Sequence, residues 1–394
     1  MSRLTANGLL KAQHPEPCDS EIKNPKSQLT NMQFIDLKQQ YQKYQTEIDA
    51  RIRKVLDHGN FIMGPEISEL EKSLADYVGV PHAITCASGT DSLEIALRAI
   101  GIGPGDEVIT VPFTWISSAE SIALVGAKPI FVDIDPLDYN LDVGKLAKAI
   151  NLKTKAIMPV SLFGQIPNME AINRLAEEHG IPVLEDAAQS FGATRNGLKS
   201  CAVSTIGSTS FFPAKPLGCY GDGGALFTSD DDLAQKMRAI RTHGGIQRHQ
   251  HPLLGMNGRF DTLQAAILIP KLAHFPDEVE ARNRIGARYS DMLKDVCTTP
   301  QIRPGNTHVY AQYTIRLPGR DKVANKLKAK GIPTAVYYPK CLHEQPVFSR
   351  LGYEWGDFPE SEKASREVLS LPMHPFLTEK EQDFIVECLK DALR

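Results

Sequence analysis

The sequence predicts an α/β protein: a mainly parallel, seven-stranded sheet covered by helices on both faces, with a smaller α/β domain at the C-terminus. Two observations predict this class. Short apolar runs alternate with amphipathic helical stretches over residues 83–228, and such alternation is typical of parallel sheets between helices. From about Leu263 a long helical region replaces the alternation, which indicates a second unit.

Composition narrows the class of protein. The 394 residues suffice for two or three domains, and 42% apolar and 23% charged residues are typical of a soluble globular chain. A net charge of -3 gives no overall attraction to nucleic acid or an acidic membrane. The cysteines lack zinc-site spacing, so we expect no metal and reduced thiols in the cytoplasm. No apolar run is long enough to span a bilayer.

We divide the chain into three segments. Residues 1–31 are polar, contain three prolines and show little periodicity, so we expect a flexible tail. This tail lacks the apolar stretch of a signal peptide. Residues 32–270 form the predicted large domain, and residues 271–394 form the predicted small domain.

The large domain is predicted to open with two amphipathic helices. The first runs from Phe34 to about His58, where Gly59 stops the pattern, and the second covers 66–78. The predicted strands are at residues 83–85, 108–111, 129–132, 156–160, 182–184, 209–212 and 225–228. Helices between most of them are predicted over residues 92–100, 117–124, 141–150 and 169–179. Ligands of such sheets bind beyond the carboxyl ends of the strands.

The small domain has its own pattern. The long helical region ends near Leu293 and is followed by a strand over 310–315 and a helix over 323–330. An extended stretch at 335–338 and a final helix from Glu379 complete it. We expect this unit to pack on the large domain.

A single lysine lies in a turn between the last two predicted strands. Lys215 stands between Ala214 and Pro216, ahead of a glycine-rich loop. In partly apolar surroundings a lysine loses its charge more easily, and its neutral amine can attack a carbonyl. A surface lysine in a tight turn is an equally good interpretation of this stretch alone.

The end of the first predicted strand carries a glycine turn that leads into a helix. Its residues Gly89, Thr90 and Asp91 follow the helix-start residue Ser88. Free amides and the positive end of the helix dipole favour a phosphate there. Simple helix capping is the alternative.

Two other strand ends carry candidate ligand contacts. Trp115 could stack on a planar ring, with core packing as the alternative. Asp186, with Gln189 three residues later, ends another strand. A buried aspartate needs a partner, which can be a protonated ring nitrogen, a helix end or an internal cation. Together with Lys215 and the phosphate site, these residues meet the requirements of pyridoxal 5'-phosphate (PLP).

From Met32 to the C-terminus, the chain resembles the DegT/DnrJ/EryC1/StrS family of sugar-nucleotide aminotransferases. The matching motifs are Phe34-Ile-Asp-Leu, Gly64-Pro-Glu, Ser88-Gly-Thr-Asp-Ser-Leu, Glu185-Asp-Ala-Ala-Gln-Ser, Ser210-Phe-Phe-Pro-Ala-Lys-Pro-Leu-Gly and Gly255-Met-Asn-Gly-Arg-Phe-Asp. The resemblance implies the aspartate-aminotransferase-like (type I) fold of PLP-dependent transferases. It also implies a homodimer with active sites shared between subunits.

The resemblance assigns roles to matching positions. It makes Lys215 the lysine that binds the cofactor aldehyde and Asp186 the partner of the pyridinium nitrogen, and these are the two predicted catalytic residues. It also implies cofactor contacts, which are Gly89, Thr90, Trp115, Gln189, Ser210 and, from the other subunit, Asn257. Asp91 belongs to the same predicted phosphate site.

The resemblance further implies amination of a nucleotide-linked keto sugar with L-glutamate as donor. The subgroup most similar to this chain acts on UDP-2-acetamido-2-deoxy-3-oxo-glucuronate, on a route to O-antigen polysaccharide. A uronate carboxylate favours an arginine, and Arg259 is the first candidate. Further predicted substrate contacts are His308, Tyr313 and Tyr338. A 4-keto-6-deoxy sugar on dTDP, GDP or UDP is the alternative substrate.

Three other classes of protein fit the sequence less well. A PLP-dependent sugar dehydratase of the family carries histidine at the lysine position, and Lys215 argues against it. A regulatory protein without chemistry is expected to lack Lys215 or Asp186, which are both present. An amino-acid transaminase usually has a C-terminal arginine for the α-carboxylate, and none is evident.

Overall fold

Strands and helices alternate along most of the chain in the computed structural model, which describes residues 32–247 and 249–394. The predicted tail therefore lies outside the described residues. The strands, in chain order, are β1 (His82–Cys86), β2 (Glu107–Thr110), β3 (Lys128–Phe131), β4 (Thr154–Ile157), β5 (Leu184–Asp186), β6 (Thr194–Arg195), β7 (Leu198–Lys199), β8 (Ile206–Ser210), β9 (Gly224–Thr228), β10 (Tyr313–Arg316) and β11 (Val368–Leu371).

The first six helices lie close to where the sequence predicts helices. The helices, in chain order, are α1 (Leu37–His58), α2 (Pro65–Val78), α3 (Gly89–Ala99), α4 (Ser117–Leu124), α5 (Val143–Ala149), α6 (Met169–His179), α7 (Asp231–Arg241), α8 (Thr262–Leu293), α9 (Arg320–Ala329), α10 (Pro359–Glu367) and α11 (Glu379–Leu393). Short 3₁₀ turns cover Leu162–Gly164, Leu342–Glu344 and Pro346–Leu351. None of these helices is long and apolar enough to cross a membrane.

Seven strands line up as one large sheet in the order β1-β9-β8-β5-β4-β2-β3. Ladder pairing joins β1-β9-β8-β5 and β3-β2-β4, and the parallel bridges Ile157–Val183 and Val160–Asp186 connect the two sets. Strand β9 runs antiparallel to both β1 and β8, whereas the other pairs are parallel. The predicted mainly parallel, seven-stranded sheet is confirmed.

Helices cover both faces of this sheet. Successive side chains of a strand point to opposite faces, and apolar side chains on each face pack against helices. Val108 and Ala156 pack on one face with α3, α4 and α7. Ile109 and Ile157 point to the other face, which is covered by α5 and α6 and, farther along the sheet, by α2 and α8. The carboxyl ends of the parallel strands lie along one side of the sheet, which is called its carboxyl edge below.

Helix α8 connects the large sheet to the C-terminal unit. Its Ala265 packs in the large-sheet core, whereas its Ile285 packs with β10, β11, α9 and α11. The antiparallel pair β10–β11 forms the small sheet. The predicted domain boundary after residue 270 falls inside α8, and the division into domains stays a prediction.

The sequence interpretation missed the helices α7 and α10 and the strands β6, β7 and β11. Asp230, whose side chain accepts a hydrogen bond from the Leu233 amide at 2.9 Å, was an available start signal for α7. The predicted strand over 310–315 begins late, at Tyr313, because Tyr310 has a φ of 46°. That value lies outside the β region.

Candidate active site

The carboxyl edge of the large sheet brings the predicted cofactor residues together. Cys86 pairs with Gly224, and Gly224 pairs with Ser210, so the last residues of β1 and β8 and the first residue of β9 lie side by side. On the next strand, Asp186 pairs with Ser208. The phosphate candidates and the predicted acid thus come from neighbouring strands, at the edge where ligands of α/β sheets bind.

The start of α3 lies so close to the end of β8 that no side chain fits between them. A Cβ placed on Gly89 would stand 2.6 Å from Ser210 Cβ. Thr90 Oγ1 lies 2.8 Å from Ser117 Oγ, which brings the starts of α3 and α4 together. Hydroxyls and helix-start amides around a glycine cradle form a site that suits a phosphate.

Asp91 contributes less to this phosphate site than the sequence suggests. Its amide donates to Ser88 Oγ at 3.0 Å, so the helix cap already uses that donor. Burial raises the pKa of the half-buried Asp91 carboxyl, and an ionised carboxylate repels a phosphate. Of the predicted cofactor contacts at this helix start, Gly89 and Thr90 are therefore better placed than Asp91.

Asp186 is a buried carboxyl with two hydrogen-bond donors. It is 6% exposed. Ser118 donates from Oγ to Oδ2 at 2.7 Å, and the Ala188 amide donates to Oδ1 at 3.2 Å. Burial raises the pKa of Asp186, while Ser118, Ala188 and the charge of Lys215 favour the ionised form. Such a carboxylate is stabilised by a cationic partner, and a protonated ring nitrogen is one.

Lys215 lies at the tip of a closed turn that joins β8 to β9. The amide of Cys219 returns to the carbonyl of Phe211 at 2.8 Å and closes the turn, which comprises residues 211–219. A Cβ on Gly218 would stand 2.5 Å from the carbonyl oxygen of Pro213. The two limbs of the turn therefore meet only because glycine occupies that position.

The environment of Lys215 suits a nucleophilic amine. Burial lowers the pKa of Lys215, and the carboxylate of Asp186 partly opposes this shift. A lysine with a lowered pKa exposes its neutral amine more often, and that amine attacks aldehydes. The charge of each of these two groups favours the charged form of the other.

Aromatic and amide side chains border this site. Gln189 donates from Nε2 to Tyr338 Oη at 3.1 Å, and its Oε1 accepts from the Phe163 amide at 2.9 Å. The ring centroids of Tyr338 and Trp115 are 6.1 Å apart. Trp115 is 58% exposed, so it is not the core aromatic that the alternative interpretation required. Its ring is free to stack on a planar ligand.

The segment that contains Asn257 and Arg259 runs beside the end of β1. The carbonyl of Gly258 accepts from the Ala87 amide at 3.0 Å, directly before the phosphate site. Asn257 is exposed. Within the part of the chain that the structure describes, the Nε of Arg259 is buried without a hydrogen-bond partner. A buried donor of this kind is costly unless water, a ligand or another chain supplies an acceptor.

Burial argues against two predicted substrate contacts. His308 is 3% exposed, its Nδ1 accepts from the Tyr310 amide at 2.9 Å, and burial lowers its pKa to about 3. A neutral imidazole offers no positive charge to a uronate. Tyr313 is 0% exposed, and its hydroxyl lies 3.0 Å from Ser290 Oγ within the C-terminal core. Tyr313 therefore packs and does not face a ligand.

Ser118 is a site residue that the sequence interpretation missed. It stands in the first turn of α4, three residues after Trp115. The available signal was the Ser-Ser pair at the start of the helix predicted over 117–124, since hydroxyls are common at helix starts. Its partner Asp186 is distant in the sequence, so only the fold pairs them.

A lysine with a lowered pKa, a buried acid and a glycine cradle at the ends of neighbouring strands are the groups that a PLP-dependent transferase requires. The family model of the DegT/DnrJ/EryC1/StrS aminotransferases matches residues 42–390. The chain therefore belongs to the DegT/DnrJ/EryC1/StrS aminotransferase family, as its motifs predicted.

Several known proteins are similar to this chain over most of its length. The UDP-2-acetamido-2-deoxy-3-oxo-D-glucuronate aminotransferase of Pseudomonas aeruginosa is 54% identical over 347 residues, which cover 88% of this chain and 96% of that protein. A DegT DnrJ EryC1 StrS aminotransferase from Brucella abortus superimposes with a TM-score of 0.88 at 45% identity, covering 92% of this chain and 99% of that one. The Bacillus subtilis protein NtdA, solved with bound cofactor PMP, has a TM-score of 0.86 at 29% identity, covering 92% and 85%.

These neighbours confirm the predicted PLP-dependent transferase fold and the cofactor. Pyridoxal phosphate is the cofactor of this aminotransferase. The described residues fit it, since Gly89 leaves the space that a Cβ would fill beside Ser210 and Asp186 offers a buried carboxyl whose Oδ2 accepts from Ser118.

Proposed function

We propose that the protein transfers the amino group of L-glutamate to the keto carbon of UDP-2-acetamido-2-deoxy-3-oxo-glucuronate, giving the 3-amino sugar for a surface polysaccharide such as O-antigen. The observation that carries this proposal is the 54% identity, over 88% of the chain, to the Pseudomonas aeruginosa enzyme of that name. We place the reaction in the cytoplasm, which suits the free cysteines of the described residues.

Lys215 is the proposed cofactor-binding and proton-transferring residue. Bound pyridoxal phosphate supplies the electron sink that stabilises a carbanion beside the reacting nitrogen. The Nζ of Lys215 takes the proton from the α-carbon of the amino donor, and in the second half-reaction it delivers a proton to the sugar carbon that receives nitrogen. The lowered pKa of Lys215 favours the neutral amine that the first transfer needs. General acid–base transfer of this kind contributes about 10²–10⁴-fold.

Asp186 is the proposed partner of the cofactor ring nitrogen. An ionised carboxylate keeps that nitrogen protonated, and Ser118 favours the ionised form because a hydroxyl donates to a carboxylate oxygen at 2.7 Å. Gly89, Thr90 and Ser210 are the proposed phosphate contacts. The proposed ring contacts are Trp115 on the face and Gln189 at the ring hydroxyl.

A second copy of the chain is the proposed protein partner. The segment Phe61–Met63 is apolar and exposed, with Ile62 53% exposed. It adjoins the Arg259 segment, because Ile62 bridges to Asp261. An exposed apolar patch beside an unpartnered arginine is typical of a surface covered by another subunit. In the proposed homodimer, Asn257 and Arg259 reach the partner's phosphate and sugar sites.

A panel of sugar nucleotides tests the proposed substrate. Purified protein and L-glutamate are incubated with the UDP-3-oxo-glucuronate derivative, with the matching UDP-3-oxo sugar that lacks the carboxylate, and with 4-keto-6-deoxy sugars on dTDP, GDP and UDP. Mass spectrometry then follows amination, and NMR locates the new amine. We expect the uronate to be aminated fastest, at C3.

The controls separate the enzyme class from the substrate. Borohydride reduction of the holoenzyme followed by peptide mapping should place the cofactor label on Lys215, and Lys215→Ala should take no label and give no product. A label on another lysine would refute the assignment. Faster amination of a 4-keto-6-deoxy sugar would replace the proposed substrate by the alternative one.

A further inference from the structure

A second buried lysine touches the turn that carries Lys215. Lys271 of α8 is 2% exposed. Its Nζ donates a hydrogen bond to the carbonyl of Gly218, the residue at which the two limbs of the turn meet. The same Nζ lies 5.0 Å from the ring centroid of Tyr220, a distance typical of a cation–π contact.

Lys271 is the middle member of a polar stripe on α8. Gln264, Lys271 and Glu278 are spaced by seven residues, close to two helical turns, so they lie on one side of the helix. Gln264 accepts from the Tyr220 amide at 2.8 Å. Two successive members of the stripe therefore hold the backbone between Gly218 and Tyr220.

Glu278, the third member, balances the buried charge. Glu278 is 4% exposed, and its charge favours the protonated form of Lys271. Gln40 of α1 donates to both Glu278 oxygens, at 3.0 and 2.9 Å. Even so, burial lowers the pKa of Lys271 to about 8. A well-packed apolar side chain commonly matches or exceeds the stability given by a buried ion pair, so stability alone does not account for this cation.

We propose that Lys271 is a positioning residue for the transamination: by holding the Gly218 carbonyl, it fixes the closed turn 211–219 and thereby the place of the Lys215 amine. The inference rests on the proposed role of Lys215. Without the Lys271 amine, the buried Gly218 carbonyl loses its donor. The turn is then held without Lys271, by the backbone hydrogen bond from the Cys219 amide to the Phe211 carbonyl. A misplacement of about 1 Å at a reacting group can cost about 100-fold in rate.

The chain provides a matched control on the same helix. Arg282 is 3% exposed and lies beside Glu278, which acts on its pKa as it does on that of Lys271. Its Nη1 donates to a backbone carbonyl, that of Tyr310, at 3.0 Å. Both Lys271→Met and Arg282→Met thus remove a buried cation and orphan one carbonyl, but only the first carbonyl belongs to the Lys215 turn.

The first measurement is hydrogen exchange by mass spectrometry on peptides that cover residues 211–219, without substrate. We expect Lys271→Met to speed exchange of these amides at least about tenfold relative to Arg282→Met, because local opening becomes easier. The second measurement is kcat and KM for L-glutamate. We expect kcat to fall roughly 100-fold in Lys271→Met with KM nearly unchanged, and Lys271→Arg, which keeps a donor, to recover most of it.

Equal exchange and equal kcat in Lys271→Met and Arg282→Met would overturn the proposal and leave Lys271 a structural residue. If Lys271→Met does not fold, Lys271→Gln is measured in its place. The glutamine side chain is one bond shorter than that of lysine, so its amide does not reach the Gly218 carbonyl, and the expected results are the same. The exchange experiment needs no sugar substrate, so a wrong substrate leaves it unaffected. A borohydride label on a lysine other than Lys215 would instead refute the proposed function itself.

Discussion

Ser118 Oγ lies 2.7 Å from Asp186 Oδ2, and this hydrogen bond ties the first turn of α4 to the end of β5. The hydroxyl stabilises the ionised carboxylate, whereas burial favours the protonated one. The charge state of Asp186, the proposed partner of the cofactor ring nitrogen, therefore depends on a side chain from a different strand–helix unit. That dependence can be measured.

Ser118→Ala should weaken Asp186 as a partner of the ring nitrogen. A hydrogen bond to a charged group contributes about 1.5–3 kcal/mol, so we expect kcat to fall roughly tenfold to 100-fold with little change in cofactor affinity. Ser121→Ala is the matched control, since Ser121 is also 0% exposed but its Oγ donates only to the Ser118 carbonyl, at 3.4 Å. Similar losses of kcat in both variants would show that Ser118 acts through helix stability.

Asp186→Asn should slow both half-reactions, because an amide cannot keep the ring nitrogen protonated and the electron sink weakens. Single-turnover absorbance with L-glutamate, and then with the keto sugar, measures the two steps separately. The loss should exceed that of Ser118→Ala. Turnover at the wild-type rate would make Asp186 a structural acid.

Mixed dimers test whether the site is shared between subunits. Lys215→Ala and Arg259→Glu should each be inactive alone. In a mixed dimer, a shared arrangement puts both defects into one site and leaves the other intact, so equal co-refolding should restore about a quarter of wild-type activity. Hybrid dimers that are visible by native mass spectrometry but inactive would mean that Arg259 serves its own chain's site or none.

His308 should make the fold sensitive to acid. Its pKa is about 3 in the folded protein against an ordinary 6.5, so the unfolded chain takes up a proton that the folded chain refuses. The contribution of neutral His308 to the free energy of unfolding is complete above pH 6.5 and is lost as the pH falls towards 3. His374, with a pKa lowered to about 4 by burial, acts in the same direction.

His308→Asn keeps an acceptor for the Tyr310 amide and removes the titrating ring. Between pH 6.5 and about 4, we expect the free energy of unfolding to depend on pH less steeply, by up to about 1.4 kcal/mol per pH unit. Urea unfolding at several pH values measures it. An additional His374→Asn change should flatten the profile again; an unchanged slope in His308→Asn would mean that the folded protein protonates His308.

The sequence predicted what depends on local patterns. Apolar runs bounded by turns located the seven strands of the large sheet, and the Lys215 and Asp186 motifs were specific enough to indicate the family. The roles of these two residues stay predictions. The antiparallel direction of β9 was not predictable in this way, because its apolar run looks like those of the parallel strands. His308 was predicted as a cation for the substrate carboxylate, and Tyr313 as a contact to substrate hydroxyls or to the base. The burial of both residues is not visible in the sequence.

Contacts between distant segments were beyond the sequence interpretation for a different reason. The Ser118–Asp186 hydrogen bond joins residues on separate strand–helix units. The Lys271–Gly218 bond joins α8 to the turn after β8. An isolated serine at a helix start, or a lysine in an apolar run such as Ile-Leu-Ile-Pro-Lys-Leu, is compatible with many partners. Only the packing of the whole sheet selects one of them.

The place of β9 between β1 and β8 determines when the large sheet can be completed during protein synthesis. His82 pairs with Thr228, so β1 has no neighbouring strand until the ribosome has released residues 224–228. Until then its unpaired edge can join other chains. The nascent chain therefore carries an unfinished sheet past the point where Lys215 is made. Truncated products that end before Gly224 should be aggregation-prone clients of chaperones.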